Sequence, residues 1–173
     1  VALNSSINYV SVIFKIKGLA RTISAGFTSS TDAVGDAYKM IQRDMAKIIL
    51  AGGVEQISID LYLIFYLRGL LSGLDGTREA SLPFDRARNG FVLAEGSYVV
   101  ILEELQYALD RGAHIYAEIK GFGSTFVGGK KHPEDVRVSR AEKAMHDALA
   151  GAGLKKEDVG LISANANGCK MQD

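Results

Sequence analysis

The stretch Thr22-Ile-Ser-Ala-Gly-Phe-Thr-Ser-Ser-Thr-Asp-Ala-Val-Gly-Asp-Ala37, with Lys47-Ile-Ile-Leu-Ala-Gly-Gly53 after it, constrains the fold more than any other feature. Arg21 to Gly26 reads as a short buried strand, and Gly26-Phe27-Thr28 as a tight turn. Ser30 to Lys47 reads as a helix: Thr31 or Asp32 can cap it, and Ala33, Ala37, Met40, Ile41 and Met45 line one face. The apolar run that follows ends in two glycines, as a parallel strand buried on both faces does. Strand, helix, strand is a βαβ unit with a right-handed crossover, so the fold class is α/β. A strand ending in a small-residue turn that opens a helix is a common platform for a nucleophile. The helix N-terminus offers unpaired N–H groups to negative charge there. The residue at the apex is Phe27, which has neither a lone pair nor an acidic proton.

The rest of the chain supplies further elements. Ser5 to Lys15 suits a helix that Lys17-Gly18 stops, and Ile57 to Leu71 is weakly helical. Ser72 to Asn89 is rich in turn residues, including Asp75-Gly76. Phe91 to Leu102 reads as two strands meeting at Glu95-Gly96, and Glu103 to Arg111 as a helix ended by Gly112. Ile115 to Phe122 alternates as a strand should. After a polar loop, Ser139 to Ala150 is a helix closed by Gly151 and Gly153. A final strand, Val159 to Ala164, runs into the small-residue tail Asn165-Ala-Asn-Gly168. A seam near Ala113 divides the chain into residues 1–113 and 114–173, the second beginning a new strand-loop-helix-strand series.

Composition excludes several classes. Net charge is +0 and pI is about 7.0, so there is no electrostatic footprint for nucleic acid or for a membrane surface. Ile57 to Leu71 is interrupted by Asp60, Arg68 and Gly69, too short and too charged to span a bilayer. Val1-Ala-Leu-Asn-Ser-Ser lacks a basic segment followed by an apolar core, so no leader is expected. A single cysteine, Cys169, excludes an internal disulfide and fits a reducing cytoplasm. It follows the last strand rather than the helix-opening turn, so it reads as an ordinary thiol near a loop. His114, His132 and His146 are scattered, and no pair has metal-site spacing. Glu95, in a small and apolar context, reads as a buried, hydrogen-bonded structural carboxylate, with a general-base role the minor alternative. Lys130-Lys131-His132 is a solvated loop or a contact for an acidic partner.

Several collinear stretches resemble the β-ketoacyl synthase (condensing enzyme) branch of the thiolase superfamily. They are Val10-Ser-Val-Ile-Phe-Lys-Ile-Lys-Gly18, Ala33-Val-Gly-Asp-Ala37, Leu50-Ala-Gly-Gly53, Ile101-Leu-Glu-Glu104 and Ala108-Leu-Asp-Arg-Gly-Ala113. The most specific is Pro83-Phe-Asp-Arg-Ala-Arg-Asn-Gly-Phe-Val-Leu-Ala-Glu-Gly96. The resemblance implies a thiolase-like layered α-β-α-β-α fold in part, with the N-terminal half incomplete and the second half begun. It covers only the middle of a complete synthase, so the chain reads as a fragment. The family's chemistry is decarboxylative Claisen condensation from acyl carrier protein thioesters. It needs a low-pKa cysteine at a helix N-terminus and histidines at the enolate.

Counted from Ala33-Val-Gly-Asp36, the cysteine position falls on Phe27; counted back from Asp173, the first histidine position falls on Asn165. The tail departs from the family's His-Gly-Thr-x-Thr-Pro run, and Ala94 and Tyr98 replace usual glycines around Glu95. The chain thus resembles the chain-length factors of type II polyketide systems, which keep the fold, lack the nucleophile and pair with an active ketosynthase. Most of those carry glutamine at the cysteine position. The resemblance implies an acyl carrier protein and an active ketosynthase (heterodimer) or a second copy (homodimer) as partners, and no cofactor or metal. Ile7, Val10, Phe14, Thr22, Ser24 and Phe27 become acyl-tunnel or interface candidates, and Glu95, Asp85 and Asp173 structural ones. Two other readings stay open: a divergent active β-ketoacyl-[acyl-carrier-protein] synthase, and a homodimeric scaffold that binds carrier proteins without handling acyl chains.

Overall fold

A computed structural model of the chain describes residues 5–127 and 134–170. They fall into two compact units, one of Val1–Gly53 with Tyr98–Lys156 and one of Val54–Ser97 with Glu157–Asp173.

The first unit is built around α2 (Ser29–Gln42), a helix that follows α1 (Ser5–Ile13) and a short 3-10 turn, Gly26–Thr28. One face of α2 carries Val34, Ala37, Tyr38 and Ile41 at helical spacing. These pack on Ile49 and Ala51 of β1 (Ile48–Glu55) and Leu102 of β2 (Gly96–Glu103), which pair as a two-stranded sheet. The strands run so close that a side chain at Gly52 would strike the backbone of Tyr98 and Val99. On its other flank α2 meets Lys120 to Gly123. A side chain at Gly35 would collide with the Phe122 ring, the Tyr38 hydroxyl donates to the Lys120 carbonyl at 2.8 Å, and the Lys39 ammonium lies 5.0 Å from the Phe122 centroid. Beyond that segment lies α5 (Glu134–Ala152), whose backbone at Ala144 and Ala148 fits against Gly121 and Gly123 with no room for a Cβ. Sheet, helix, extended segment and helix are thus layered on one another.

α2 ends earlier than its apolar periodicity suggests, at Gln42 rather than Lys47. Asp44 takes φ +55°, and the N–H groups of Asp44 and Met45 bond back to the carbonyls of Ile41 and Met40, both at 3.0 Å. That paired closure satisfies the last carbonyls and turns the chain into β1. α4 (Leu105–Asp110) begins where the Glu104 carboxylate accepts the N–H groups of Gln106 and Tyr107, at 3.1 and 2.9 Å.

Three expected strands, Arg21–Gly26, Ile115–Phe122 and Val159–Ala164, are not strands, and of Phe91–Leu102 only the part from Gly96 is one. A strand is defined by the neighbour it pairs with, and among the described residues these segments have no ladder partner. For the same reason β1 is not buried on both faces. Ala51 is covered, whereas Ile48 and Val54, pointing to the other face, are 47% and 60% exposed.

The second unit contains α3 (Ile59–Leu67), whose first turn is capped by the Ser58 hydroxyl accepting from the Leu61 N–H at 3.1 Å. Its core is Leu71, Phe91 and Cys169, with Phe65, Leu70 and Leu93 packed around them. Leu71 and Phe91 form a single parallel bridge, closed by Phe91 N–H to the Leu70 carbonyl and Ser72 N–H to the Phe91 carbonyl, both at 3.0 Å. Among the described residues no helix is long and apolar enough to cross a membrane.

Candidate functional site

The head of α2 is fixed by bonds within a few residues and by one from Ser124. Gly26 takes φ +72°, a left-handed turn that suits glycine. The Ser29 hydroxyl donates to the Gly26 carbonyl at 2.7 Å and accepts the Ala25 N–H at 2.9 Å, pinning both sides of the apex. The Thr28 hydroxyl donates to the Asp32 carboxylate at 2.7 Å, and the Ser124 hydroxyl reaches the other Asp32 oxygen at 3.0 Å. Asp32 therefore lies in the first turn rather than at the cap, with its charge beside the positive end of the helix dipole. Phe27 occupies the apex and is 60% exposed. The turn opens α2 as the sequence suggests, without a strand before it, and presents an aromatic ring rather than a thiol or hydroxyl at its apex.

Beside this turn an open cleft of about 500 Å³ runs between Arg21–Ile23, Asp32, Asp36, Lys39 and Phe122. Its charges are internally matched: the Arg21 guanidinium donates to Asp36 at 3.1 Å, and Lys39 rests on the Phe122 ring.

The tail bearing Asn165 lies in the second unit. Asn165 is exposed, Ala166 and Asn167 are half-buried, and Gly168 and Cys169 are buried. Gly90 N–H donates to the Gly168 carbonyl at 3.0 Å, and Cys169 N–H to the Asn167 side-chain oxygen at 3.0 Å. The only thiol in the chain is thus a core residue against Leu71 and Phe91.

Of the other residues singled out from the sequence, Ile7 is half-buried, and Val10, Phe14, Thr22 and Ser24 are exposed. Arg21–Gly26 was expected to be buried and is open to solvent apart from half-buried Ile23, with no strand covering it among the described residues. Glu95 also departs from expectation: it is exposed, although its carboxylate accepts the Ile57 N–H at 2.8 Å. It precedes the part of β2 where Tyr98 to Ile101 are themselves uncovered, so an apolar sequence context did not translate into burial. Asp85 accepts the Ala87 N–H at 2.7 Å, a local turn bond. His114 meets Tyr116 edge-on at 4.5 Å, and His146 is exposed on α5. Asp173 and Lys130-Lys131-His132 lie outside the described residues. No group of three potential metal ligands occurs among the described residues.

The sequence reading missed a polar knot around Ser72, whose only hints were the turn pairs Asp75-Gly76 and Asn89-Gly90. The buried Ser72 hydroxyl lies 2.8 Å from Asn89 Oδ1 and 3.0 Å from the Ala80 carbonyl, and accepts the Ala80 N–H at 3.1 Å. Asn89 Nδ2 donates to Asp75 at 3.1 Å and to Thr77 Oγ1 at 2.8 Å. Hydrogen bonds from the Thr77 hydroxyl and N–H, then from Asn89, hold the Asp75 carboxyl below its ordinary pKa.

A helix-opening turn of nucleophile form, set in sheet and helix layers, defines an α/β protein of the thiolase-like, layered class. The chain belongs to the β-ketoacyl synthase family: residues 4–108 match its N-terminal domain and residues 116–173 its C-terminal domain. It is 39% identical to 3-oxoacyl-[acyl-carrier-protein] synthase 1 of Buchnera aphidicola, over 99% of this chain and 42% of the relative. It is 34% identical to a putative polyketide β-ketoacyl synthase 1 of Streptomyces halstedii, over 95% of this chain and 39% of the relative. The chain therefore spans about two fifths of the length of these curated relatives. Among solved structures, a type II polyketide ketosynthase in complex with its acyl carrier protein superposes with a TM-score of 0.90 at 30% identity, covering 99% of this chain and 43% of that one. The ishigamide ketosynthase/chain length factor gives 0.72 at 30% identity, covering 83% and 34%.

Proposed function

We propose that this protein is a ketosynthase-like subunit of fatty-acid or type II polyketide synthesis, of the catalytically silent chain-length-factor kind. In this reading it pairs with a cysteine-bearing ketosynthase, shapes that partner's acyl tunnel and meets an acyl carrier protein. The carrying observation is Phe27 at the apex of the helix-opening turn, where condensation requires a thiolate. Asn165, at the position the resemblance gives to the first histidine, supports it. The neutral amide cannot take up a proton as imidazole does.

The fold divides near Ala113 in this reading, with residues 1–113 in the N-terminal thiolase-like half and residues 114–173 opening the C-terminal one. Arg21–Gly26, exposed and without a strand partner among the described residues, is the segment that pairs across the subunit two-fold. Ile7, Val10 and Phe14 line the shared tunnel from the partner's side, Thr22 and Ser24 lie at the interface, and the Phe27 ring fills room that an acyl chain would take. The protein works in the cytoplasm.

Co-expression with a cysteine-bearing homologue tests this: the two should co-purify, and the protein alone should neither decarboxylate malonyl thioesters nor transfer acyl groups. Phe14→Ala should lengthen the products of the pair, and unchanged lengths in several such variants would count heavily against a tunnel role. Phe27→Cys should remain unacylated if the site no longer accepts a chain; iodoacetamide-sensitive acyl loading would argue against a filled cavity.

The names of the curated relatives favour a second reading, an active divergent β-ketoacyl-[acyl-carrier-protein] synthase performing decarboxylative Claisen condensation. Decarboxylation or acyl transfer by the purified protein on its own would establish it.

A further inference from the structure

We infer that Ser72, Asn89 and Asp75 form a positioning device for the tail that carries Asn165. The tail is anchored at Gly168 and Cys169. Gly168 and Cys169 are buried while Asn165 is exposed, so the placement of Asn165 depends on how the buried end is seated. That seat is Gly90 and Phe91: Gly90 N–H holds the Gly168 carbonyl at 3.0 Å, and Cys169 packs on Phe91 and Leu71. Both contacts are close. A Cβ on Gly90 would strike the backbone of Leu70 and Leu71, and one on Gly168 would strike the Gly90 carbonyl.

The residue preceding this seat is Asn89. Its amide has one orientation that suits its neighbours, with Nδ2 toward the Asp75 carboxylate and the Thr77 hydroxyl oxygen, and Oδ1 toward the Ser72 hydroxyl. Reversed, the amide oxygen would face a carboxylate. Ser72 follows Leu71, so the knot fixes both sides of the Leu71–Phe91 bridge on which Cys169 rests. The turn-rich loop of residues 72–89 is, in this view, a clamp for the seat and not only a connection. The claim about placement holds whether the protein is silent or active; only the meaning of Asn165 rests on the proposed function.

Cys169 is the only thiol in the 173 residues and lies at the seat, so it reports on the clamp directly. Iodoacetamide labelling of the whole protein, followed at the Cys169 peptide by mass spectrometry, measures opening of the tail. Asn89→Ala should speed that labelling about tenfold while the global unfolding transition moves little. Asp75→Asn, which keeps an acceptor for Thr77 and Asn89, should stay close to wild type, whereas Asp75→Ala should not. Thr77→Ala, on the exposed edge of the loop, gives a milder variant if Asn89→Ala does not fold, with labelling about threefold faster. Unchanged labelling in Asn89→Ala and Thr77→Ala would overturn the inference, and so would labelling that rises only in proportion to lost global stability. Co-purification with a ketosynthase is a separate readout, so failure of the clamp and failure of the proposed function are distinguishable.

Discussion

The head of α2 and the tail through Cys169, which the proposed function puts in the places of a condensing enzyme's cysteine and first histidine, are held in opposite ways. The turn around Phe27 is tied by Ser29 to Gly26 and Ala25, and by Thr28 to Asp32, with no partner more than four residues away in these bonds. The tail is tied to Gly90, which lies in a distant part of the chain, and to a core formed by Leu71 and Phe91. A locally wired turn does not depend on which side chain stands at its apex for these ties, because Phe27 takes no part in them. A tail seated by remote contacts keeps its place only while the loop beneath it holds.

Substitutions should separate the two regions. Gly90→Ala should have the largest effect, about 3 kcal/mol or more, because Gly90 takes φ +144° and its new Cβ would meet backbone rather than a flexible side chain. Chemical denaturation should show that loss, and a stability near wild type would mean the second unit tolerates a reseated tail. Ser29→Ala should cost about 1 kcal/mol, the worth of a local side-chain-to-backbone tie, and should leave Cys169 labelling unchanged. A change in labelling there would break the contrast drawn between the regions.

The smallest effect is one of pH. The Asp75 carboxyl is held below its ordinary value of 3.8 by Thr77 and then Asn89, so its contribution to stability is fully present above that value. It is lost as pH falls through the lowered folded-state pKa. Urea unfolding at about pH 6 and about pH 3 should therefore show a steeper acid loss for the wild type than for Asp75→Asn. Equal slopes would remove Asp75 from the clamp.

Much of the local structure was legible without coordinates. The spacing of Ala33, Ala37 and Ile41 announces α2, the run before Gly52-Gly53 announces β1, and the small residues around Phe27 announce the turn. The helix and the turn depend on neighbours a few positions away, which sequence displays directly, while β1 also needs its partner β2. The Ser72 knot was not legible, because its hydroxyl and amide partners are separated by the whole loop and turn residues alone do not say what they close upon.

From its residues alone this chain declares an α/β fold, the position of its long central helix, and the absence of a thiol at that helix's head. Its tertiary structure alone decided that Arg21–Gly26 and Ile115–Phe122 are not strands among the described residues, that Glu95 is exposed and that Cys169 is core. The physical reason is that helices and turns close their hydrogen bonds within themselves. Strands, burial and the seating of a tail are relations between segments, and a relation exists only once the partner is in place.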